Sequence, residues 1–328
     1  MAWLEQHWQR LTPVSALLYP LSLMFRGAIT VRRAAYSTHL AKTVRLPVPV
    51  VVVGNITVGG TGKTPLVLWV ADFLAQNGMR PGIISRGYGS AVHAAREVLP
   101  TAGPASVGDE PLLLAQRSNC PVWIGADRVA AARGLIDANP DCNVIVSDDG
   151  LQHYRLGRKV EIAVIDGARG LGNGLLLPAG PLREPPSRLR EVDAVVIHGA
   201  PRPIDRKKNA VNMRLEGREF RSLLNPEHVV GPEHFQGQRV HAVAGIGHPP
   251  RFFAHLEALG LTFEAHAFPD HHAYTGHDFA FADADVVLMT EKDAVKCASF
   301  ASEKHWALRV DAVPDPQLGE LILKKLTT

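Results

Sequence analysis

An α/β fold with a parallel sheet flanked by helices is what this sequence predicts, and three observations predict it. Residues 50–71, VVVVGNITVGGTGKTPLVLWVA, pass from a β-branched run through a glycine-rich turn into a periodic apolar segment. That is the order strand, loop, helix. A second strand over residues 82–85 follows the helix, which makes a βαβ unit and hence parallel strands. Residues 143–147 form another apolar, β-branched strand, with Asp148 and Asp149 at its C-terminal end.

Taken in chain order, the first 46 residues are unlike the rest. They carry Arg10, Arg26, Arg32, Arg33, Lys42 and Arg45 against Glu5 alone, five net positive charges in a chain of +3. Within them LTPVSALLYPLSLMF, residues 11–25, is uncharged and apolar. This stretch falls short of the roughly 20 residues that span a bilayer, and Pro13 and Pro20 interrupt it. It has no clean small-residue cleavage site and a strand follows soon after, so it does not read as a signal peptide. The pattern predicts an interfacial helix pair, apolar side toward acyl chains, with Arg26, Arg32 and Arg33 at anionic headgroups. The alternative is a hydrophobic arm packed on the protein's own core.

The glycine-rich turn predicts a phosphate-binding P-loop formed by Thr57, Val58, Gly59, Gly60, Thr61, Gly62, Lys63 and Thr64. Its glycines let backbone N–H groups turn inward. Lys63 would reach the β- and γ-phosphates of ATP, and the Thr64 hydroxyl would ligate Mg²⁺. Thr57 stands where the strict pattern has glycine. After the second strand come Arg86 and Tyr88 among glycines, at the strand edge where open α/β sheets bind ligands. Arg86 is either a phosphate clamp or an exposed loop arginine. Asp109 and Glu110 precede an apolar helical run, where an aspartate ordinarily caps a helix.

Asp148 and Asp149 occupy the position of a Mg²⁺-holding acid in P-loop proteins. Successive strand residues face opposite ways, so the pair divides its roles. His153 lies four residues on, near the same edge. Beyond it, the Pro- and Gly-rich 176–193 region reads as a loop lining the substrate site, and residues 193–199 as a buried strand. Residues 211–237 read as a hairpin linker turning at Glu216–Gly217. From 238 a second strand, glycine loop and helix pattern begins, with the helix near Pro250 to Gly260, strands over 262–268 and 285–290, and a closing helix. AGIG lacks the full G-x-G-x-x-G pattern and so marks no second cofactor site. Glu291, Lys292 and Asp293 are either functional or a capped helix start. The division is therefore an arm (1–46), a P-loop core (47–210), the linker (211–237) and a smaller C-terminal α/β lobe (238–328).

Composition excludes several classes. With 46% hydrophobic and 20% charged residues, this is an ordinary globular chain. Three scattered cysteines form neither a disulfide framework nor a metal-ligand pattern. The small net charge implies no nucleic-acid surface, and nothing implies an obligate protein partner.

VGNITVGGTGKTP, SRGYGS, VGDEPLLLA, SDDGLQH, LLPAGPLREP, AGIGHPPRFF, FPDHHAY and TEKDAVK occur in that order from about residue 50 to 296. Together they resemble the tetraacyldisaccharide 4′-kinases of the lipid A pathway, the LpxK family. The resemblance covers nearly the whole chain, and the family shares the threonine at position 57. It implies transfer of the ATP γ-phosphate to the 4′-hydroxyl of an acylated disaccharide 1-phosphate, at the cytoplasmic face of the inner membrane. It further implies that Asp109 is the base on the sugar hydroxyl and that His271, rather than adjacent His272, supports it. Asp148 and Asp149 would serve the metal and phosphates, and His153 and Arg183 the substrate site. The competing class is a P-loop switch or metallochaperone. A guanine-binding N-K-x-D sequence is absent, and only His271 and His272 adjoin as soft ligands.

Overall fold

The structure is a computed structural model that describes residues 2–87, 94–199 and 209–328. In chain order its elements begin with α1 (Ala2–His7) and α2 (Pro13–Ser37). The first lobe then runs β1 (Val50–Gly54), α3 (Lys63–Gln76), β2 (Pro81–Ser85), β3 (Arg96–Glu97), α4 (Pro104–Val107) and α5 (Asp109–Arg117). It continues through β4 (Val122–Ile124), α6 (Arg128–Ala138), β5 (Val144–Asp148), β6 (Val160–Asp166), β7 (Ala194–His198) and β8 (Ala210–Glu216). The second lobe holds β9 (Phe220–Ser222), β10 (Val229–Val230), β11 (Val240–Ala244), α7 (Pro249–Ala258), β12 (Glu264–Ala267), β13 (Val286–Thr290), α8 (Glu291–Cys297) and β14 (His305–Leu308). The chain then returns to the first lobe as β15 (Asp311–Pro314) and α9 (Gln317–Thr327).

The first sheet has the order β15-β8-β7-β6-β1-β5-β2-β4-β3. Its strands from β8 to β4 are parallel, with antiparallel β15 and β3 at the edges. β1 sits mid-sheet, and both its faces are covered. Val51 and Val53 pack against α3, α5 and α9, while Val50 and Val52 pack on the opposite side with α6. Burial on both faces explains the unbroken valine run. The second sheet, β10-β9-β14-β13-β11-β12, is parallel over β14, β13, β11 and β12.

Three expectations need correction. Pro20 does not break the arm: α2 is one 25-residue helix that passes through it. Pro13 takes the first helical position, where its missing N–H costs nothing, and Thr12 caps the end by accepting from the Ser15 N–H. Ser15, Leu18, Ser22, Phe25, Ile29, Arg33 and Tyr36 form an inward stripe at helical spacing, whereas Pro20 is exposed. Docking along that whole stripe overrides the local proline penalty.

The hairpin at Glu216–Gly217 does not form. β8 pairs with β7 and β15 in the first sheet, and β9 with β14 and β10 in the second, so the segment crosses between lobes. Nor does everything after 238 belong to the second lobe. β15 completes the first sheet, and Leu318 and Ile322 of α9 are buried in the first lobe's core.

Candidate active site

The phosphate loop joins β1 to α3. Gly62 immediately precedes α3 with φ +83°, and a Cβ there would lie 3.2 Å from His198 Nδ1. Glycine is therefore required for both backbone and space. Asn55 braces the loop from inside, its Nδ2 lying 3.4 Å from the Gly59 carbonyl and 3.3 Å from Thr61 Oγ1. From outside, the Val58 N–H donates to the Pro181 carbonyl and the Arg183 N–H to that of Ile56. The α3 N-terminus carries no side-chain cap, which leaves its first N–H groups for an anion.

Asp148 and Asp149 have different surroundings, although strand alternation does not reach Asp149. Asp149 lies just beyond β5 with φ +49°. Arg183 grips its two carboxylate oxygens at 2.8 and 2.9 Å, and Lys63 Nζ lies 3.6 Å away. Burial pushes the Asp149 carboxyl up, but Lys63 and Arg183 outweigh it and hold it well below the usual carboxylate range. Asp148 is buried; it accepts from Ser85 Oγ at 3.0 Å, while its Oδ1 has no hydrogen-bond partner. Its carboxyl is pushed up to about 7, first by burial and then by the neighbouring charges of Glu110 and Asp149. An orphaned carboxylate oxygen with two further acids near it fits a divalent cation, which would relieve both strains.

Across the cleft, Asp109 is the first residue of α5, and Gly108 holds the cap position. The ordinary capping role is thus excluded. Asp109 Oδ2 lies 3.2 Å from His271 Nδ1, on the second lobe's 268–275 loop. His272 turns away, to Asp278 at 3.4 Å and the rings of Phe268 and Tyr274. Of the two adjacent histidines, it is His271 that reaches Asp109. Lys292 Nζ reaches Glu110 and Asp270 at 3.2 Å each and lies 3.5 Å from His271 Nε2. Since an ammonium only donates, His271 Nε2 accepts and Nδ1–H points at Asp109. Burial opposes the Lys292 charge, yet Glu110 and Asp270 more than offset it and raise its affinity for the proton.

Sequence reasoning left Lys292 either functional or part of a capped helix start; the helix start is present, with Thr290 capping α8 by accepting from the Asp293 N–H. That reasoning missed Lys292's reach, together with Arg251. Arg251, on α7, is ion-paired to Asp166 at the end of β6 and lies 3.3 Å from His198 Nδ1. Buried Arg128, near both aspartates, was also missed. The glycines of AGIG were a readable signal of different meaning. A Cβ at Gly247 would come within 3.0 Å of the Gly60 nitrogen, so the second lobe's loop rests backbone to backbone on the phosphate loop. Between the lobes lies a cavity of about 240 Å³. Residues 60–65, Glu110, Arg251 and Lys292 form its polar part, and Leu113, Leu215, Phe252, Leu308 and Val310 its apolar part.

The remaining expected residues are more peripheral. Arg86 is exposed beyond β2 without an ion-pair partner among the described residues, and Tyr88 lies outside them. His153 Nε2 faces Asp127 at 3.7 Å, and burial, then Arg128, lowers its pKa to about 4, so it is neutral at pH 7.

A phosphate loop, a carboxylate pair at the adjacent strand end and a carboxylate–imidazole contact across the cleft define a P-loop phosphotransferase. Comparison with known proteins narrows this. Residues 14–327 match the family profile of LpxK, tetraacyldisaccharide-1-P 4′-kinase. A tetraacyldisaccharide 4′-kinase of Methylobacillus flagellatus is 52% identical over 325 residues, 99% of this chain and 96% of that protein. One of Alkalilimnicola ehrlichii is 53% identical over 324 residues, with 98% and 96% covered. The fold matches LpxK from Aquifex aeolicus, solved in complex with ATP, with a TM-score of 0.82 and 29% identity over 95% of this chain and 99% of that one. The chain belongs to the tetraacyldisaccharide 4′-kinase family and is an ATP-dependent kinase of the lipid A precursor.

Proposed function

We propose that the inter-lobe cleft transfers the γ-phosphate of ATP to the 4′-hydroxyl of an acylated disaccharide 1-phosphate with Asp109 as base. The contact between Asp109 and His271, made across the two lobes beside the phosphate loop, is the observation that carries this reading. Residues 57–64 cradle the triphosphate, with Lys63 neutralising its β- and γ-oxygens. The apolar wall formed by Phe252, Leu308 and Val310 suits the purine ring. Thr64 Oγ1 and Asp148 would hold Mg²⁺, which when bound neutralises charge on the transferring group. Asp149, clamped by Arg183, keeps Lys63 aimed at the loop. His271, its tautomer set by Lys292, orients the Asp109 carboxylate. That carboxylate takes the hydroxyl proton as the sugar oxygen bonds to the γ-phosphorus. The bond from that phosphorus to the β,γ-bridging oxygen breaks, and ADP leaves.

The substrate is a lipid, and α2 suits a bilayer surface. It is long and apolar enough to cross a membrane, with a mean hydropathy of 1.5 over an 18-residue window. Its inner stripe, however, is docked along its length. Asn173 holds Ser15, Ser22 bonds the Leu176 carbonyl and the Ala179 N–H, and Arg33 pairs with Glu191. A helix fixed to a globular lobe at both ends lies on a membrane instead of spanning it. Leu17, Leu21, Met24 and Val31 form the exposed face that would enter the cytoplasmic leaflet of the inner membrane.

The test is ATP turnover with and without an acylated disaccharide 1-phosphate. Turnover should require the lipid and yield its 4′-phosphate. Slow turnover indifferent to lipid would instead identify a switch ATPase.

A further inference from the structure

A second cavity, of about 780 Å³, lies at the opposite edge of the first sheet from the phosphate loop. Its wall includes Val50 and Lys159, at the N-terminal ends of β1 and β6. The phosphate loop leaves β1 at its other end, about 13 Å further on at 3.3 Å per residue. The cavity therefore cannot present a sugar hydroxyl to the γ-phosphate, and the catalytic reading leaves it unused.

Its lining is basic. Glu161 is shared by Arg158 and Arg188 at 2.9 and 2.5 Å, and Glu191 is taken by Arg33 at 2.5 Å. The two acids are thereby spent on internal pairs. Arg45 and Lys159 are exposed and have no carboxylate partner among the described residues. In all, five cations meet two acids around the cavity, a net charge of +3. Apart from Ser37 and Thr43, the rest of the wall is largely apolar, with Leu46 and Val48 beside the Tyr36 ring. Tyr36 and Ser37 come from the last turn of α2, so the cavity opens beside the helix whose outer face is exposed and apolar.

We infer that this cavity binds the headgroup of an anionic glycerophospholipid. Arg45 and Lys159 meet the phosphate, and the apolar wall takes the glycerol end of the acyl chains. The inference rests on the reading that α2 lies on a bilayer. It adds a specific anchor that fixes how the first lobe is turned on the membrane, and hence where its cleft faces.

The experiment measures binding of the full chain to vesicles of phosphatidylcholine alone and with about one-fifth phosphatidylglycerol. Wild type should prefer the anionic vesicles by about tenfold. Ser37→Trp and Thr43→Trp fill the cavity without changing charge, and Arg45→Gln with Lys159→Gln removes the two free cations. Each should lower the preference to about twofold while binding to phosphatidylcholine and the melting temperature stay unchanged. Diffuse surface attraction predicts instead that a folded Ser37→Trp or Thr43→Trp protein keeps the full preference; that outcome would overturn the cavity. Loss of the preference in inorganic phosphate, but not in sodium chloride of equal ionic strength, would assign the cavity to a soluble anion and overturn the lipid. Absence of binding to either vesicle would refute the bilayer reading of α2 itself, a distinguishable failure.

Discussion

Replacing Asp109 by Asn separates catalysis from architecture. Asp109 is the first residue of α5 and lies 3.2 Å from His271 Nδ1. Asparagine keeps the size and an oxygen that accepts from Nδ1–H, so the contact survives. The stability lost is the interaction of one carboxylate with a helix N-terminus, about 0.3–1 kcal/mol. Loss of a general base costs about 10²–10⁴ in rate. At about 1.4 kcal/mol per tenfold, that is about 3–5 kcal/mol of barrier. The two magnitudes do not overlap, so the measurement decides. Steady-state transfer from labelled ATP to micellar lipid should show kcat down by ~10²-fold or more, with ATP affinity and melting temperature nearly unchanged. His271→Ala should also lower kcat, and the double variant should fall short of the product of the two losses. His272→Ala, which touches Asp278, Phe268 and Tyr274 instead, should affect stability more than kcat. Asp109→Asn within threefold of wild-type kcat would refute the base assignment and leave the carboxylate a structural role.

Lys63→Ala should lower transfer by orders of magnitude, because no other lysine or arginine lies among residues 57–64. Chelation with EDTA should abolish transfer, and Asp148→Ala should recover in part at raised Mg²⁺; no response of either to the metal would contradict Asp148 as its ligand. Ser22→Ala leaves the Ala179 N–H, in a buried residue, without its partner, while the Leu176 carbonyl keeps the Gly180 N–H; it should cost about 1–3 kcal/mol in chemical denaturation. Asp166 supplies a pH signature: burial pushes its carboxyl up, but Arg251 outweighs it and the folded value lies below the ordinary 3.8. Its contribution is therefore complete above that pH and lost as pH falls through the folded value. Asp166→Asn should narrow the gap to wild type in acid melts, and a gap that widens toward low pH would contradict the ion pair.

Legibility in the sequence followed locality. β1, the phosphate loop and α3 were readable because valines buried on both faces, a glycine turn and a periodic helix are consecutive. β2, β5, β7, β11, α7 and β13 share that property. The continuity of α2 was not readable, since Pro20 is a local breaker and the inward stripe that overrides it has meaning only against residues 173–191. The crossing after β8 looked like a hairpin because alternation flanks a glycine; β15, which β8 pairs with, lies about 100 residues on. Arg251 and Lys292 sit in ordinary helices, and their partners, Asp166 and Glu110, lie 85 and 182 residues away. Asp109 was different. Its position before an apolar run read naturally as a cap, and only the resemblance to a kinase family suggested otherwise.

The site's division between lobes has a chemical consequence. The phosphate loop, Asp109 and the carboxylate pair belong to the first lobe, whereas His271, Lys292, Arg251 and Gly247 belong to the second. Neither half alone has both a phosphate cradle and an oriented base. Two chain crossings, after β8 and before β15, join the halves. Arg117 of α5 ties them further by pairing with Glu291 of α8 at 2.5 Å. Glu291 is nearly buried, and burial raises its pKa against the pull of Arg117. Glu291 also lines the inter-lobe cavity. On the proposed mechanism, this cleft is where water must be kept from the γ-phosphate while Asp109 faces an incoming hydroxyl. A kinase that accepts a lipid still meets water as a competing acceptor. With Asp109 as the proposed base, its contact with His271 ties proton acceptance to the pairing of the two lobes, which would favour transfer to the sugar over hydrolysis.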